Sequence, residues 1–215
     1  MLTYIYADEL AKDTKLEHSM FQDRAWQFKE RLNWDVSIDE DGHERDEYDR
    51  MNPLYVIWKT VDGLHGGSMR VMPTTAPCLV NDHFTDITGG PITSPLIWES
   101  TRFCLSPRAG RDAGRISAAL MLAACEIGVG FGLKHGIGVF DQRMERVYSR
   151  IGWPPDVLGA SGEGRERIAV GTWDFSEAIR HKLCLRAGVS PQLSRLWFNR
   201  RFGAVPQEVE MAQAV

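Results

Sequence analysis

Glu99 and Arg102 stand near the middle of Leu96–Ser106, an otherwise apolar stretch bracketed by Pro95 and Pro107. Its β-branched and aromatic residues read as one strand. A charge in a central strand is costly to bury unless it is paired or put to use. The two residues are therefore a structural ion pair, solvated charges on an edge strand, or part of a site that moves protons or binds anions. Arg70 poses the same question inside Ser68–Pro73. Asp46 and Asp49, three apart around Tyr48, would face one site if that segment makes a helical turn. Arg24, Phe28 and Trp34 follow in order along and just past a helical pattern, where Phe28 reads first as a core residue. Phe84 lies beside His83 in an irregular excursion over residues 74–95. Arg143, Arg146 and Arg150, at spacings of three and four, form one basic helix face, either a docking surface or simply solvated.

The elements that must position these groups alternate in type. Residues 2–7 read as a first strand. Ser19 is the expected cap of a helix running to about Leu32, with Phe21, Ala25, Phe28 and Leu32 at helical spacing. Residues 35–52 form a long acidic segment of little periodicity. A hairpin follows, Leu54–Val61 and Ser68–Pro73, with Asp62-Gly63 opening its turn and Gly66-Gly67 closing it. After the 96–106 strand, a basic turn leads into a helix at about 115–134 that is apolar nearly all round and hence buried. His135–Phe140 reads as a strand, Gln142–Arg150 as a helix, and Arg167–Trp173 as a late strand. Two helices near 176–187 and 190–202 end the pattern. The expected fold is α/β: a single-domain, three-layer αβα sandwich around a mixed twisted sheet of about six to eight strands. Residues 203–215 read as a frayed tail.

Composition narrows the function. The chain carries a net charge of −4, unevenly spread. Residues 1–107 hold 18 acidic against 10 basic residues, and residues 108–215 hold 15 basic against 11 acidic. A general nucleic-acid binder would be basic throughout, so the expectation is no nucleic-acid partner but a local anionic one on the back half. Cys78, Cys104, Cys125 and Cys184 are widely spaced, with no C-x-x-C pair and no nearby histidine cluster. That predicts neither a metal site nor a disulfide framework, and it fits a reducing cytoplasm. The opening residues lack a signal-peptide pattern, and no run approaches the ~18 apolar residues of a membrane span. A cytoplasmic protein without membrane insertion is expected.

The singled-out residues, taken as an ordered set, resemble a known family. Arg24-x3-Phe28-x5-Trp34, Asp46-x2-Asp49, Ser68-Met-Arg70 and Glu99-x2-Arg102 are similar to the motifs of acyl-homoserine-lactone synthases, the autoinducer synthases of bacterial quorum sensing. The likeness covers roughly residues 1–185. It implies an acetyltransferase-like fold with a splayed central strand pair. It also implies the reaction: S-adenosylmethionine is N-acylated from an acyl thioester, on acyl carrier protein or CoA, then lactonised with release of methylthioadenosine. Both are substrates, so no cofactor is expected. A lactone-responsive transcription regulator would be linked through the product.

On that resemblance, residues 1–52 form the S-adenosylmethionine layer. Arg24, Phe28, Trp34, Asp46, Asp49, Arg70, Phe84 and Arg102 are its expected contacts. Carboxylates suit the substrate's cations, arginines its carboxylate, and aromatic faces its sulfonium or adenine. Glu99 is the expected general base, directly or through one water. Residues three apart on a regular strand point to opposite faces, so Glu99 and Arg102 share a site only across a bulge. An irregular ladder between Ile97 and Phe103 should open a slot toward 136–140, with Phe103 and Phe140 lining the acyl–pantetheine path. Phe140 would disfavour a 3-oxo acyl group. Met121, Leu122 and Cys125 line a tunnel or, more simply, pack in the core. The turn Arg108–Arg115 only partly matches the R-x-x-G-x-G/A pyrophosphate loop, because Ile116 replaces its final small residue. The Arg143/Arg146/Arg150 face would dock an acidic carrier, helped by Lys134 and Arg108. The alternatives are a CoA-dependent N-acyltransferase on another amine, or a non-catalytic small-molecule sensor of the same fold.

Overall fold

The computed structural model describes residues 1–203; the expected frayed tail otherwise lies outside the described residues. In chain order the elements are β1 (Leu2–Tyr6), α1 (Ala7–Leu10), α2 (Thr14–Ala25), β2 (Leu54–Lys59), β3 (His65–Pro73), α3 (Leu79–His83), α4 (Thr85–Thr88), β4 (Ile97–Leu105), α5 (Ala113–Gly130), β5 (His135–Asp141), α6 (Gln142–Ile151), β6 (Asp156–Ser161), β7 (Ile168–Asp174), α7 (Glu177–Ala187) and α8 (Pro191–Phe202). The strands form one seven-stranded sheet in the order β1-β2-β3-β4-β5-β7-β6. Every pairing is antiparallel except β4–β5, which is parallel. Residues 2–6 thus join the sheet rather than the layer above it.

Helices cover both faces. The apolar α5 lies over β2 and β3 and packs against α7 and α8. It is long and apolar enough to cross a membrane, yet most of it is buried inside the molecule. Its Ala-rich surface supports close packing, and Leu120, Leu122 and Ala123 have no solvent exposure. Glu126, also fully buried, is ion-paired with Arg180 of α7 and Arg195 of α8. A buried charge must be matched in this way, and the pairs fix the helices to one another. On the opposite face, Leu16, Met20 and Phe21 of α2 pack on Tyr55 and Ile57 of β2. Cys78 and Val80 pack on Ile137 and Val170.

Two local expectations are corrected. Asp13, not Ser19, caps α2, accepting from the Leu16 amide. Ser19 lies inside the helix, where its hydroxyl donates to the Leu16 carbonyl and accepts from the His65 amide. Beyond Ala25 the helix continues as a π-helix over Trp26–Arg31. Its wider turns are a device that recurs near functional sites. Gly66 and Gly67 lie inside β3 instead of closing the hairpin turn.

Candidate active site

Three arginines from three elements converge on one acidic ladder. Arg24 of α2 donates from Nε to Glu44 Oε2 at 2.6 Å and from both terminal nitrogens to Asp49 at 2.9 Å. Arg70 of β3 donates to Asp49 Oδ1 at 2.8 Å and Asp46 Oδ2 at 2.9 Å, and its Nε donates to Thr101 Oγ1 at 3.0 Å. Arg102 of β4 reaches Glu44 at 3.0 Å and Asp46 at 2.8 Å. Tyr55 donates to Asp49 at 2.6 Å. Bidentate guanidinium–carboxylate contacts are the strong form of such pairs. Three positive and three negative charges balance, which makes burial tolerable. Burial opposes ionisation of Asp49, yet Arg24 and Arg70 hold its carboxyl far below the usual range. The ladder is preset by its own backbone: Asp46 accepts from the amides of Tyr48 and Asp49, and Asp49 accepts from that of Asp46.

β4 is bent where the chemistry sits. Ser68 pairs with Cys104 and Arg70 with Thr101, so Met69 alone faces both Arg102 and Phe103. Arg102 absorbs the extra residue in a left-handed conformation, φ 54°. This is the irregularity expected between Ile97 and Phe103 if Glu99 and Arg102 share a site. It brings Arg102 to the face that Thr101 already shares with Arg70 and the acidic ladder. On the other side, β4 pairs with β5 only from Ile97↔His135 to Glu99↔Ile137. Beyond that point the two parallel strands part.

A cleft of about 450 Å³ lies at this parting. One wall is aromatic: Phe28 and Trp34 stack with centroids 5.1 Å apart and planes 13° from parallel, and the Arg102 guanidinium lies 5.5 Å from the Phe28 ring. Phe84 and Leu79 add to this side, and Phe103, Phe140, Met144 and Tyr148 line the rest. Glu99 does not itself line the cleft; it is 2% exposed and joins it through Leu79, which does. Its carboxylate accepts from the Leu79 and Val80 amides at 3.0 and 2.6 Å. Burial raises its pKa to about 7, against the pull of those two amides and of Arg70. A carboxylic acid poised there is suited to take and return a proton near neutral pH.

The structure therefore divides the expected substrate contacts. Phe28, Trp34, Phe84, Arg102, Phe103 and Phe140 line the cleft. Arg24, Asp49 and Arg70 are buried behind it, with their charges spent on one another. Asp46 stands at the rim of the ladder, touching both Arg70 and Arg102. Sequence reading missed Glu44, which lies in the long acidic segment 35–52. The signal was a charge count: three arginines near two aspartates leave one cation unmatched. Of the tunnel candidates, Met121 lines a hollow behind the sheet, whereas Leu122 and Cys125 are core. Arg143, Arg146 and Arg150 are all exposed on α6. Lys134 stands just before β5, and α6 follows that strand. Arg108 is half-exposed but paired with buried Asp23 at 2.8 Å. A group of three potential metal ligands, Asp39, Asp41 and His43, marks a tight turn. There Asp39 accepts from the other two amides.

An open mixed sheet whose central parallel pair parts under a cleft is the frame of the acetyltransferase-like α/β fold. An N-acetyltransferase so described from Lactobacillus plantarum shares it with a TM-score of 0.51 at 16% identity, over 81% of this chain and 99% of that one. The likeness is greater to BjaI, described as a CoA-dependent acyl-homoserine lactone synthase, solved with MTA. There the TM-score is 0.79 at 22% identity, over 90% of this chain and 91% of that one. Residues 8–183 match the family model described as autoinducer synthase. The acyl-homoserine-lactone synthase of Rhizobium etli is 36% identical over 181 residues, 82% of this chain and 85% of that protein. The chain belongs to the autoinducer synthase family.

Proposed function

We propose the following division of labour for the acyl-homoserine-lactone synthase reaction, within one domain spanning the chain. S-adenosylmethionine lies in the cleft with its adenine or sulfonium against Phe28, Trp34 and Phe84. Its carboxylate pairs with Arg102, and its ammonium lies toward Asp46. Arg24, Asp49, Arg70 and Glu44 are positioning residues that hold those two groups in place. The acyl thioester enters where β4 and β5 part, past Phe103 and Phe140. Glu99, through one water, takes a proton from the ammonium. The freed nitrogen attacks the thioester carbon, the N–C bond forms and the C–S bond breaks; the nitrogen gives up a second proton, which the departing thiolate takes to leave as the thiol, and the first proton passes from Glu99 to solvent. A carboxylate oxygen of the acylated intermediate then attacks the γ-carbon. The bond to the sulfonium sulfur breaks with its electron pair, closing the lactone and releasing neutral methylthioadenosine.

The observation that carries this reading is the coincidence of the strand parting and the bulge at Arg102 at one cleft, with the neutral-range carboxylate of Glu99 held just behind its Leu79 wall. The acyl donor is a carrier protein docked on Arg143, Arg146 and Arg150, with acyl-CoA as the other source. Phe140 disfavours a 3-oxo group. The reaction takes place in the cytoplasm without a cofactor, and its product acts on a lactone-responsive regulator. Incubation with S-adenosylmethionine and an acyl thioester tests the reading. Methylthioadenosine and an extractable lactone are expected in equal amounts. An acylated product without methylthioadenosine would mark an N-acyltransferase for another amine, and no turnover would mark a binding protein.

A further inference from the structure

Tyr48 stands between Asp46 and Asp49 of the ion-pair ladder, yet its hydroxyl donates outside the ladder, to Asp82 Oδ2 of α3 at 2.9 Å. Its ring is buried, with the Arg70 guanidinium 5.2 Å from the centroid. Burial and the Asp82 carboxylate push the phenol above its ordinary range, so it remains a donor at working pH. α3 is the element whose Leu79 and Val80 amides hold Glu99. It has five residues, too few to keep its place by its own hydrogen bonds. Neighbours must therefore fix it. Val80 packs on Ile137 and Val170. The Asn81 side chain accepts from the Ile92 amide at 2.8 Å and donates to the Ile92 carbonyl at 3.0 Å. The Tyr48–Asp82 bond ties α3 to the segment that carries Asp46, and His83 adds an exposed contact to Glu47 at 3.8 Å.

The groups around Glu99 pull in both directions. Burial disfavours its charge most, the two α3 amides and Arg70 of β3 favour it, and Asp82 of α3 opposes it. Cys78, just before α3, is a thiol pushed up to about 11 by burial and by Glu99, and so is neutral. The strand partners of Glu99, Met72 of β3 and Ile137 of β5, carry no charge. We propose that Tyr48, through Asp82, is a positioning residue for Glu99: it anchors the short helix whose amides grip the carboxylate. The inference takes its catalytic meaning from the reading of Glu99 as the base, and rests on it. Losing the phenol hydroxyl loosens that grip and leaves Asp82 more fully negative, and both effects favour the protonated form of Glu99. Removing the Asp82 charge while keeping its bond acts the other way.

The test follows the Glu99 carboxyl of the full chain by infrared difference spectroscopy through a pH titration, its band assigned by its loss in Glu99→Gln. The second readout is the pH profile of kcat/KM for methylthioadenosine release, with S-adenosylmethionine and the acyl thioester that turns over fastest. Tyr48→Phe keeps the ring and removes the donor. It should raise the infrared midpoint by about half a pH unit, so that kcat/KM on the acid side falls about threefold. Asp82→Asn keeps an acceptor for the phenol and removes the charge, and should lower the midpoint by a similar amount. Thermal melting confirms that each variant is folded. A Tyr48→Phe midpoint equal to that of the wild type, even with a reduced kcat, marks the bond as merely structural and overturns the inference. Should that variant not fold, an Asp82→Asn midpoint that stays or rises overturns it instead. Midpoints that move as expected in a protein releasing no methylthioadenosine uphold the anchor and sink the synthase reading alone. If Glu99→Gln removes no band that titrates near neutral pH, the base reading and this inference fall together.

Discussion

At the scale of single residues, the site turns on one carboxyl group and one guanidinium. Glu99 is the group whose ionisation falls within the working range, with a pKa raised to about 7 by burial. If it is the base, activity rises with pH through about 7, because only the carboxylate accepts a proton. Glu99→Gln should lower kcat at least 100-fold and remove that limb from the pH–rate profile. A variant retaining near-wild-type kcat would remove Glu99 from the mechanism. Arg24 makes contacts of a different kind. It touches no cleft surface and holds Glu44 and Asp49. Arg24→Ala would leave both carboxylates buried and short of a partner, at a cost of about 3–5 kcal/mol. A clear drop in the urea midpoint should accompany the loss of activity.

At the scale of elements, β4 and α6 carry separable tasks. The bulge in β4 was legible only in combination: residues three apart on a regular strand face opposite sides, and the family resemblance put Glu99 and Arg102 in one site. β6 was not legible. Pro154-Pro155 before it and Gly162 after it look like loop punctuation, and its residues are largely exposed, so no alternation marks it. α1, α3 and α4 have four or five residues each, too few for a helical period to register. The parting of β4 from β5 is a property of pairing between distant segments, and composition is blind to it. α6 was legible from its basic spacing, and its docking role awaits a direct test. Arg146→Glu with Arg150→Glu should raise KM at least tenfold for a carrier-borne acyl group while leaving that for acyl-CoA nearly unchanged. An unchanged carrier KM would dispose of the docking face. Added salt should weaken the same step, because exposed charges are screened over about 10 Å at 0.1 M.

At the scale of the whole molecule, the ion-pair ladder joins α2, the 44–49 segment, β3 and β4 into one body. Its pH dependence has a definite sign. Asp49 is depressed below its ordinary value of 3.8. Its contribution is therefore fully present above about pH 4 and is lost as pH falls toward the folded-state pKa. Thermal melting should show a Tm that declines below pH 4, and less steeply when Asp49 is replaced by Asn. On the other face, α5 has a consequence for biosynthesis. Its outer cover is supplied by α7 and α8, which are made well after it. A nascent chain halted before residue 177 would leave the side of that greasy rod turned away from the sheet unsheltered, fit for a chaperone's grip. Only when α7 and α8 arrive does that rod become an interior.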